Sequence, residues 1–210
     1  MNTPSSALTR YYQFHAGIYD ATRWSFLFGR EDILKQVRRR AAPLNILEIG
    51  CGTGHNLNLL AKFFPRASII GIDLSGAMLA KAKMKLSSHG ERVQLREAAY
   101  DAPIRGESEG FDLILASYAL SMFNPGWEQA LQAAEADLSP NGRIAVVDFH
   151  QPRLPGFGKW MGMNHVRMDG HLLAGLQSKF KPEVCLERLA YGGVWDYLQF
   201  IGHKKTAPGV

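Results

Sequence analysis

Glu48-Ile49-Gly50-Cys51-Gly52-Thr53-Gly54-His55-Asn56 sets three glycines at alternate positions. Before it lies Leu44-Asn45-Ile46-Leu47-Glu48-Ile49, an apolar run with the length of a buried strand. After it, Asn56 to Phe64 carries a helical pattern stopped by Pro65. Glycine at such a junction permits a tight turn and lets a ligand lie against bare backbone at a helix N-terminus. Ser68 to Ile72 reads as the next strand, completing a βαβ unit, and Asp73 ends it 73 − 50 = 23 residues after Gly50. That is close to the spacing at which an acid reaches ribose hydroxyls. A dinucleotide site would place a glycine where this chain has His55. Glu48, at the strand end, would serve a pyrophosphate poorly and suits a ligand that carries an ammonium group.

Outward from this unit the two periods continue to alternate. Gly76 to Ser88 reads as a helix, Val93 to Ala98 and Phe111 to Ser117 as strands, Gly126 to Leu138 as a helix, and Arg143 to Phe149 as a fifth strand. The segment Gln151 to Asn164, rich in Gly, Pro and Met, reads as a loop or lid. His171 to Phe180 reads as a helix, followed by closing strands over Val184 to Leu189 and Val194 to Ile201. The expected fold class is α/β: a Rossmann-like, doubly wound, mostly parallel seven-stranded sheet with an antiparallel C-terminal strand.

At about 150 residues per domain, 210 residues point to a single domain. Hydrophobic residues at 46% and charged residues at 20% supply a core and exclude a disordered chain. The two cysteines, Cys51 and Cys185, form no disulfide framework and no CxxC metal pattern, so a reducing compartment and no metal are expected. No apolar run approaches the roughly 20 residues of a bilayer span, and Met1-Asn2-Thr3-Pro4-Ser5-Ser6 lacks the features of a secretory signal. A net charge of +5 is compatible with an anionic membrane surface.

Leu47 to Gly54, followed by Gly71-Ile72-Asp73-Leu74-Ser75, resembles the class I S-adenosylmethionine-dependent methyltransferases, over roughly residues 44 to 150. The resemblance implies S-adenosyl-L-methionine as cofactor and S-adenosyl-L-homocysteine as product. It implies that Glu48, Gly50, Cys51, Gly52 and Gly54 border the methionine portion, that Asp73 holds the ribose diol, and that Leu74 and Met78 flank ribose and adenine. Where the family often has an acid after the third strand this chain has Ala98, so backbone near Ala98 and Ala99 would meet the adenine. Ser117 and Arg23 complete the implied cofactor set.

The ends of the chain bear on the acceptor. Tyr11, His15, Tyr19 and Arg23 share one helical face at i, i+4 spacing. Aromatic faces stabilise sulfonium and ammonium groups. The run Tyr11 to Arg30, with Ala116 to Met122 and Tyr191 to Tyr197, is similar to the diacylglyceryl-homoserine N-methyltransferases that complete bacterial betaine lipids. It is less closely similar to phosphatidylethanolamine N-methyltransferases. The first resemblance implies trimethylation of a lipid amine by a cytoplasmic protein held peripherally on the inner face of the cell membrane, with no nucleic-acid partner. A C- or O-methyltransferase of a lipophilic, quinone-type acceptor is the alternative.

The acceptor amine must shed a proton before attack. His150, at the end of the fifth strand, is the expected base, with Tyr19 and Tyr118 orienting the amine. Arg23, Arg153 and Arg167 are options for a head-group carboxylate. The expected organisation is one domain, 1–210: a helical lid and membrane-docking region over 1–42, a cofactor core over 43–150, and a substrate loop with closing strands over 151–210.

Overall fold

The computed structural model describes residues 27–105 and 109–205. Helix α1 (Arg30–Arg38) leads into β1 (Asn45–Ile49), α2 (His55–Phe63), β2 (Ser68–Asp73), α3 (Gly76–Leu86), β3 (Val93–Glu97) and β4 (Phe111–Ser117). Then follow α4 (Trp127–Asp137), β5 (Leu138–Pro152), α5 (Pro155–Met163), α6 (His171–Lys179), β6 (Phe180–Ala190) and β7 (Trp195–Lys204). The seven strands form one sheet in the order β3-β2-β1-β4-β5-β7-β6. Within this sheet β7 runs antiparallel to both of its neighbours, β5 and β6. The mostly parallel sheet with an antiparallel C-terminal strand is the architecture expected from the sequence.

Strict alternation along the central strands divides the core. Ile46, Ile69, Leu113, Leu115, Ala145 and Val147 face Ile33, Leu34 and Val37 of α1 and Leu57 and Leu60 of α2. Leu47, Ile49, Ile70, Ile72, Ile114, Ala116 and Val146 face α4 and α6, through Ala130, Leu131, Ala134, Leu172 and Leu176. A parallel strand covered on both faces must be apolar throughout, which is why β1 reads as an unbroken run. Glu48 interrupts that run on the α1/α2 face, at 1% exposure.

The order of strands reverses between β1 and β4, so their carboxyl ends diverge and leave the crevice in which such sheets bind ligands.

Two readings from sequence differ from the structure. The segment read as a loop, Gln151 to Asn164, contains α5. Phe157 and Met161, at i, i+4, reach the core, and Phe157 stacks on Trp195 with centroids 4.8 Å apart, which holds the helix against the local signal of Gly and Pro. The closing strands are also longer than expected. Pro182 is accommodated in β6 because β6 is the sheet edge, where a missing N–H breaks no ladder.

Candidate active site

The loop leaving β1 closes on itself and on β2. Cys51 N–H donates to Ile72 O (3.0 Å), and Gly54 N–H to Cys51 O (3.0 Å). Gly50, Gly52 and Gly54 have φ of 66°, 52° and 74°, left-handed values that cost an L side chain energy. At Gly50 a Cβ would also lie 2.6 Å from that of Ala119, so both conformation and space demand glycine. Asp73 ties the loop to the next helix: one oxygen accepts from Gly52 N–H (2.7 Å), the other from Ser75 N–H (2.9 Å). Ser75 Oγ in turn caps α3 by accepting Met78 N–H (3.3 Å).

These elements border an open cavity of about 320 Å³ that reaches Glu48, Asn56, Met78, Ser117 and Tyr118, with Leu27 and Arg30 arriving from the N-terminal side. On its floor, Asn56 Nδ2 donates to Glu48 Oε1 (2.8 Å). Glu48 Oε2, Asn56 Oδ1 and Ser117 Oγ are buried with no hydrogen-bond partner among the described residues. Burial pushes the Glu48 carboxyl up to about 8, against the lowering effects of the Asn56 bond and the Arg30 charge. Burial also pushes the Cys51 thiol far above its ordinary range, with the Glu48 and Asp73 charges adding to the shift, so Cys51 is a packed residue and not a nucleophile.

Of the expected cofactor residues, Glu48, Gly50, Cys51, Gly52, Met78 and Ser117 line the cavity together, and Asp73 is bonded to its loop. Gly54 starts α2 behind them. Leu74 is 47% exposed beside the cleft. Ala98 and Ala99 are exposed, with Ala98 N–H donating to Asp73 O (3.2 Å). Tyr19 and Arg23, like Tyr11 and His15, lie outside the described residues.

Tyr118 borders the cavity with φ of 54°, but its hydroxyl donates to Phe28 O (2.8 Å). Burial, then the Asp148 charge, holds the phenol well above its ordinary range. This bond makes it a fixed ring that anchors the entry of the described chain at Phe28. Its ring meets Phe149 edge-on at 4.7 Å, and Phe149 leads to Trp195, which is flanked by Phe28 (6.0 Å) and Tyr191 (5.0 Å).

His150 is not among the cavity-lining residues. It is 4% exposed, with Nε2 3.4 Å from Glu187 of β6 and Nδ1 unpartnered among the described residues. A register shift between Phe149 and Gln151 sets this end of β5. The two arginines available for a carboxylate are engaged: Arg153 Nε contacts both oxygens of Asp196 at 2.9 Å, and Arg167 pairs with Asp169 at 2.7 Å.

Sequence reasoning missed Arg30, Asn56 and Asp137. Asp137, fully buried in α4, accepts from Tyr100 O–H (2.8 Å), Ile104 N–H (2.9 Å) and Arg105 N–H (2.8 Å), pinning the stretch after β3. Asn56 sits in the first turn of α2, a signal available in the sequence, whereas the approaches of Arg30 and Asp137 are purely tertiary.

Among the described residues no group of three or more His, Cys, Asp or Glu is arranged for a metal ion. No helix among them is long and apolar enough to cross a membrane.

A family model described as a methyltransferase domain matches residues 46–142. The chain is 38% identical over 101 residues to trans-aconitate 2-methyltransferase of Variovorax paradoxus, covering 48% of this chain and 37% of that protein. It is 33% identical over 129 residues to demethylmenaquinone methyltransferase of Thermus thermophilus, covering 58% and 57%. It thus spans less than two thirds of these relatives. In fold it is similar to Burkholderia thailandensis 1,6-didemethyltoxoflavin-N1-methyltransferase, solved with S-adenosylhomocysteine, with a TM-score of 0.72, 18% identity, and coverage of 98% and 92%. It is also similar to the N-methyltransferase NodS of Bradyrhizobium japonicum, with a TM-score of 0.67, 17% identity, and coverage of 84% and 86%.

Proposed function

We propose that this chain, whose residues 46–142 match a methyltransferase-domain model, is a class I S-adenosylmethionine-dependent methyltransferase that transfers the cofactor's methyl group to the amine of a lipid head group. The head group of first choice is diacylglyceryl-homoserine, giving the trimethylated betaine lipid. The residues of the cleft fit the cofactor. Buried acceptors at Glu48 and Asn56 match an ammonium, Asp73 has further acceptor sites for a ribose diol beside its two backbone bonds, and Met78 supplies apolar floor.

The observation that carries the choice of acceptor is the run of rings from Tyr118 through Phe149 to Trp195, Phe28 and Tyr191, beginning at the cavity wall. Aromatic faces attract the cation that each methylation of an amine creates. Exposed Trp160 and Met163 on α5 and Leu154 at its N-terminal end support approach to a membrane surface. When bound, the cofactor supplies a methyl group on a sulfonium, open to in-line displacement by a lone pair. The chain's part is to align the acceptor and exclude water. The amine's proton leaves toward the end of β5, where His150, backed by Glu187, is the proposed base.

A second reading is favoured by the quinone methyltransferases among the relatives: transfer to carbon or oxygen of a lipophilic ring, which would meet Tyr118 at the cavity wall.

The test is incubation of the protein with labelled S-adenosylmethionine and vesicles carrying diacylglyceryl-homoserine, phosphatidylethanolamine or a demethylated quinone, followed by mass spectrometry of the lipids. Label in the homoserine lipid supports the proposal, and label in the ethanolamine lipid alone moves the acceptor within the amine class. Label confined to the quinone establishes the second reading. Label in none of them, with cofactor binding intact, overturns both.

A further inference from the structure

We infer that the side of the sheet covered by α1, α2 and α3 is a docking surface for an anionic lipid bilayer, with α5 supplying side chains that enter its apolar boundary. This rests on the reading of the acceptor as a membrane lipid, and it names the surface across which that lipid reaches the cleft.

The two sides of the sheet differ in charge. Residues 30–42, 55–66 and 76–92, which hold α1 to α3 and the turns after them, carry eleven Lys and Arg against three carboxylates, Glu31, Asp32 and Glu91. On the other side, α4 and α6 carry Lys179 against Glu128, Glu135 and Asp137. Tertiary contacts gather the basic side chains. The Arg38 guanidinium lies over the Phe63 ring at 5.3 Å, which brings the end of α1 to the end of α2. Arg92 donates to the carbonyls of Ala61 (3.3 Å), Phe64 (3.4 Å) and Ala67 (3.0 Å), which draws the turn after α3 to the same place. Arg39 and Arg40 follow Arg38, Lys62 and Arg66 flank Phe63, and all four are exposed. Such a concentration of like charge repels itself, a cost that an anionic partner removes. The basic surface is continuous with the cleft, because Arg30 and Lys85 line the cavity. A bilayer against it therefore presents head groups at the cavity rim.

The apolar side chains on the same side favour a bilayer over a nucleic acid. Met161 packs in one cluster with Leu34, Leu57 and Leu79, which sets α5 beside α1, α2 and α3. Met163 on α5 is 72% exposed, near exposed Lys159 and Trp160. Helix α3 repeats the composition, with Met84 73% exposed between exposed Lys83 and Lys85. Apolar side chains interleaved with cations match the head-group boundary, where acyl chains receive the first and lipid phosphates the second. A phosphodiester backbone would meet only the cations.

Co-sedimentation of the full chain with vesicles, without cofactor or acceptor, tests the surface. The vesicles are phosphatidylcholine alone or phosphatidylcholine mixed with phosphatidylglycerol. Arg39→Gln/Lys62→Gln/Arg66→Gln removes three exposed cations whose side chains make no hydrogen bond or ion pair among the described residues, so its thermal melt should match the wild type. Each cation near an anionic leaflet is worth about fivefold in partitioning, so the triple variant should bind the mixed vesicles roughly 10- to 100-fold more weakly. Met163→Ser should weaken binding about threefold, a loss that added salt does not screen. Equal binding of the wild type to both vesicle types, or unchanged affinity in the triple variant, overturns the inference. So does displacement from the mixed vesicles by a single-stranded oligonucleotide bound more tightly than they are, which would assign the basic surface to nucleic acid. Failure of the acceptor reading is distinct. Salt-sensitive docking with no methyl transfer to any membrane lipid removes the acceptor and leaves the surface. Equal methylation of a lipid in detergent micelles by wild type and triple variant, with neither binding vesicles, removes the surface and leaves the acceptor.

Discussion

At the crevice between β1 and β4, the carboxylate oxygen Glu48 Oε2 and the amide oxygen Asn56 Oδ1 have no partner among the described residues. On the β5–β7 side the ionic groups close on one another: Arg153 on Asp196, Arg143 on Glu183, Arg167 on Asp169. Polar atoms do stay unmatched on that second side, but they belong to neutral or switchable groups: Ser121 Oγ, His150 Nδ1 and His171 Nε2. On the proposed reading, the crevice meets the cofactor's ammonium through these two oxygens, and the β5–β7 side meets the acceptor through rings, imidazoles and shape. This division suits the proposed chemistry, in which the cofactor carries an ammonium and the acceptor presents an unprotonated lone pair at the reacting atom.

The comparison is broken most severely through Gly50. Gly50→Val places a β-branched side chain at φ of 66° and within 2.6 Å of Ala119 Cβ. We expect a loss of about 3 kcal/mol or more in stability and no measurable binding of S-adenosylhomocysteine, read by denaturant melts and titration calorimetry. Asp73→Ala is the next largest. It removes the acceptor for Gly52 and Ser75 N–H along with the proposed ribose contact, and affinity is expected to drop about 10- to 100-fold. Unchanged affinity would remove Asp73 from the cofactor site.

Glu48→Gln sharpens the comparison by separating function from stability. The folded carboxyl lies at about 8, above its unfolded value of 4.5, so its favourable contribution is complete below 4.5 and fades as pH rises through 8. The glutamine variant escapes that loss. Thermal melts should show it gaining on the wild type between pH 5 and pH 8.5, by on the order of 2 kcal/mol, while its affinity for S-adenosylhomocysteine falls about tenfold. A variant that gained no stability with pH would show that Glu48 is solvated. Smaller again is the effect of Arg153→Gln and Arg167→Gln. Because both arginines are engaged by Asp196 and Asp169, acceptor KM should stay within about twofold once the acceptor is known. A tenfold rise would mean that the acceptor side also reads charge.

Much of the β1–α2 crevice is legible in the sequence because its determinants are local. A strand buried on both faces has no room for polar alternation, and glycine at Gly50, Gly52 and Gly54 answers to backbone conformation within a few residues. The Glu48–Asn56 bond spans only eight residues and was within reach of the sequence. The approach of Arg30 was not, because it depends on where α1 docks. The segment Gln151 to Asn164 reads differently in sequence for the same reason. Gly156, Gly158 and Gly162 made α5 look like a loop, yet the helix is held by Phe157 on Trp195, a residue contributed by β7. His150 lies near the carboxyl end of β5, and its facing toward Glu187 depends on strand pairing and a bulge.

The two cysteines give the mildest test, one from each side. Cys51 is 5% exposed in the glycine loop, and burial beside Glu48 and Asp73 keeps its thiol protonated. Cys185 is exposed on the edge strand β6, with its thiol raised more modestly by partial burial and Glu187. Since only a thiolate attacks a disulfide reagent, Ellman's reagent at pH 8 should titrate one thiol of the folded protein, slowly, and two after denaturation. Because Cys185 lies away from the cleft, S-adenosylhomocysteine should leave its rate unchanged. Reaction of Cys51 in the folded protein would mean that the glycine loop opens to solvent, and suppression of that reaction by the ligand would measure how far binding closes it.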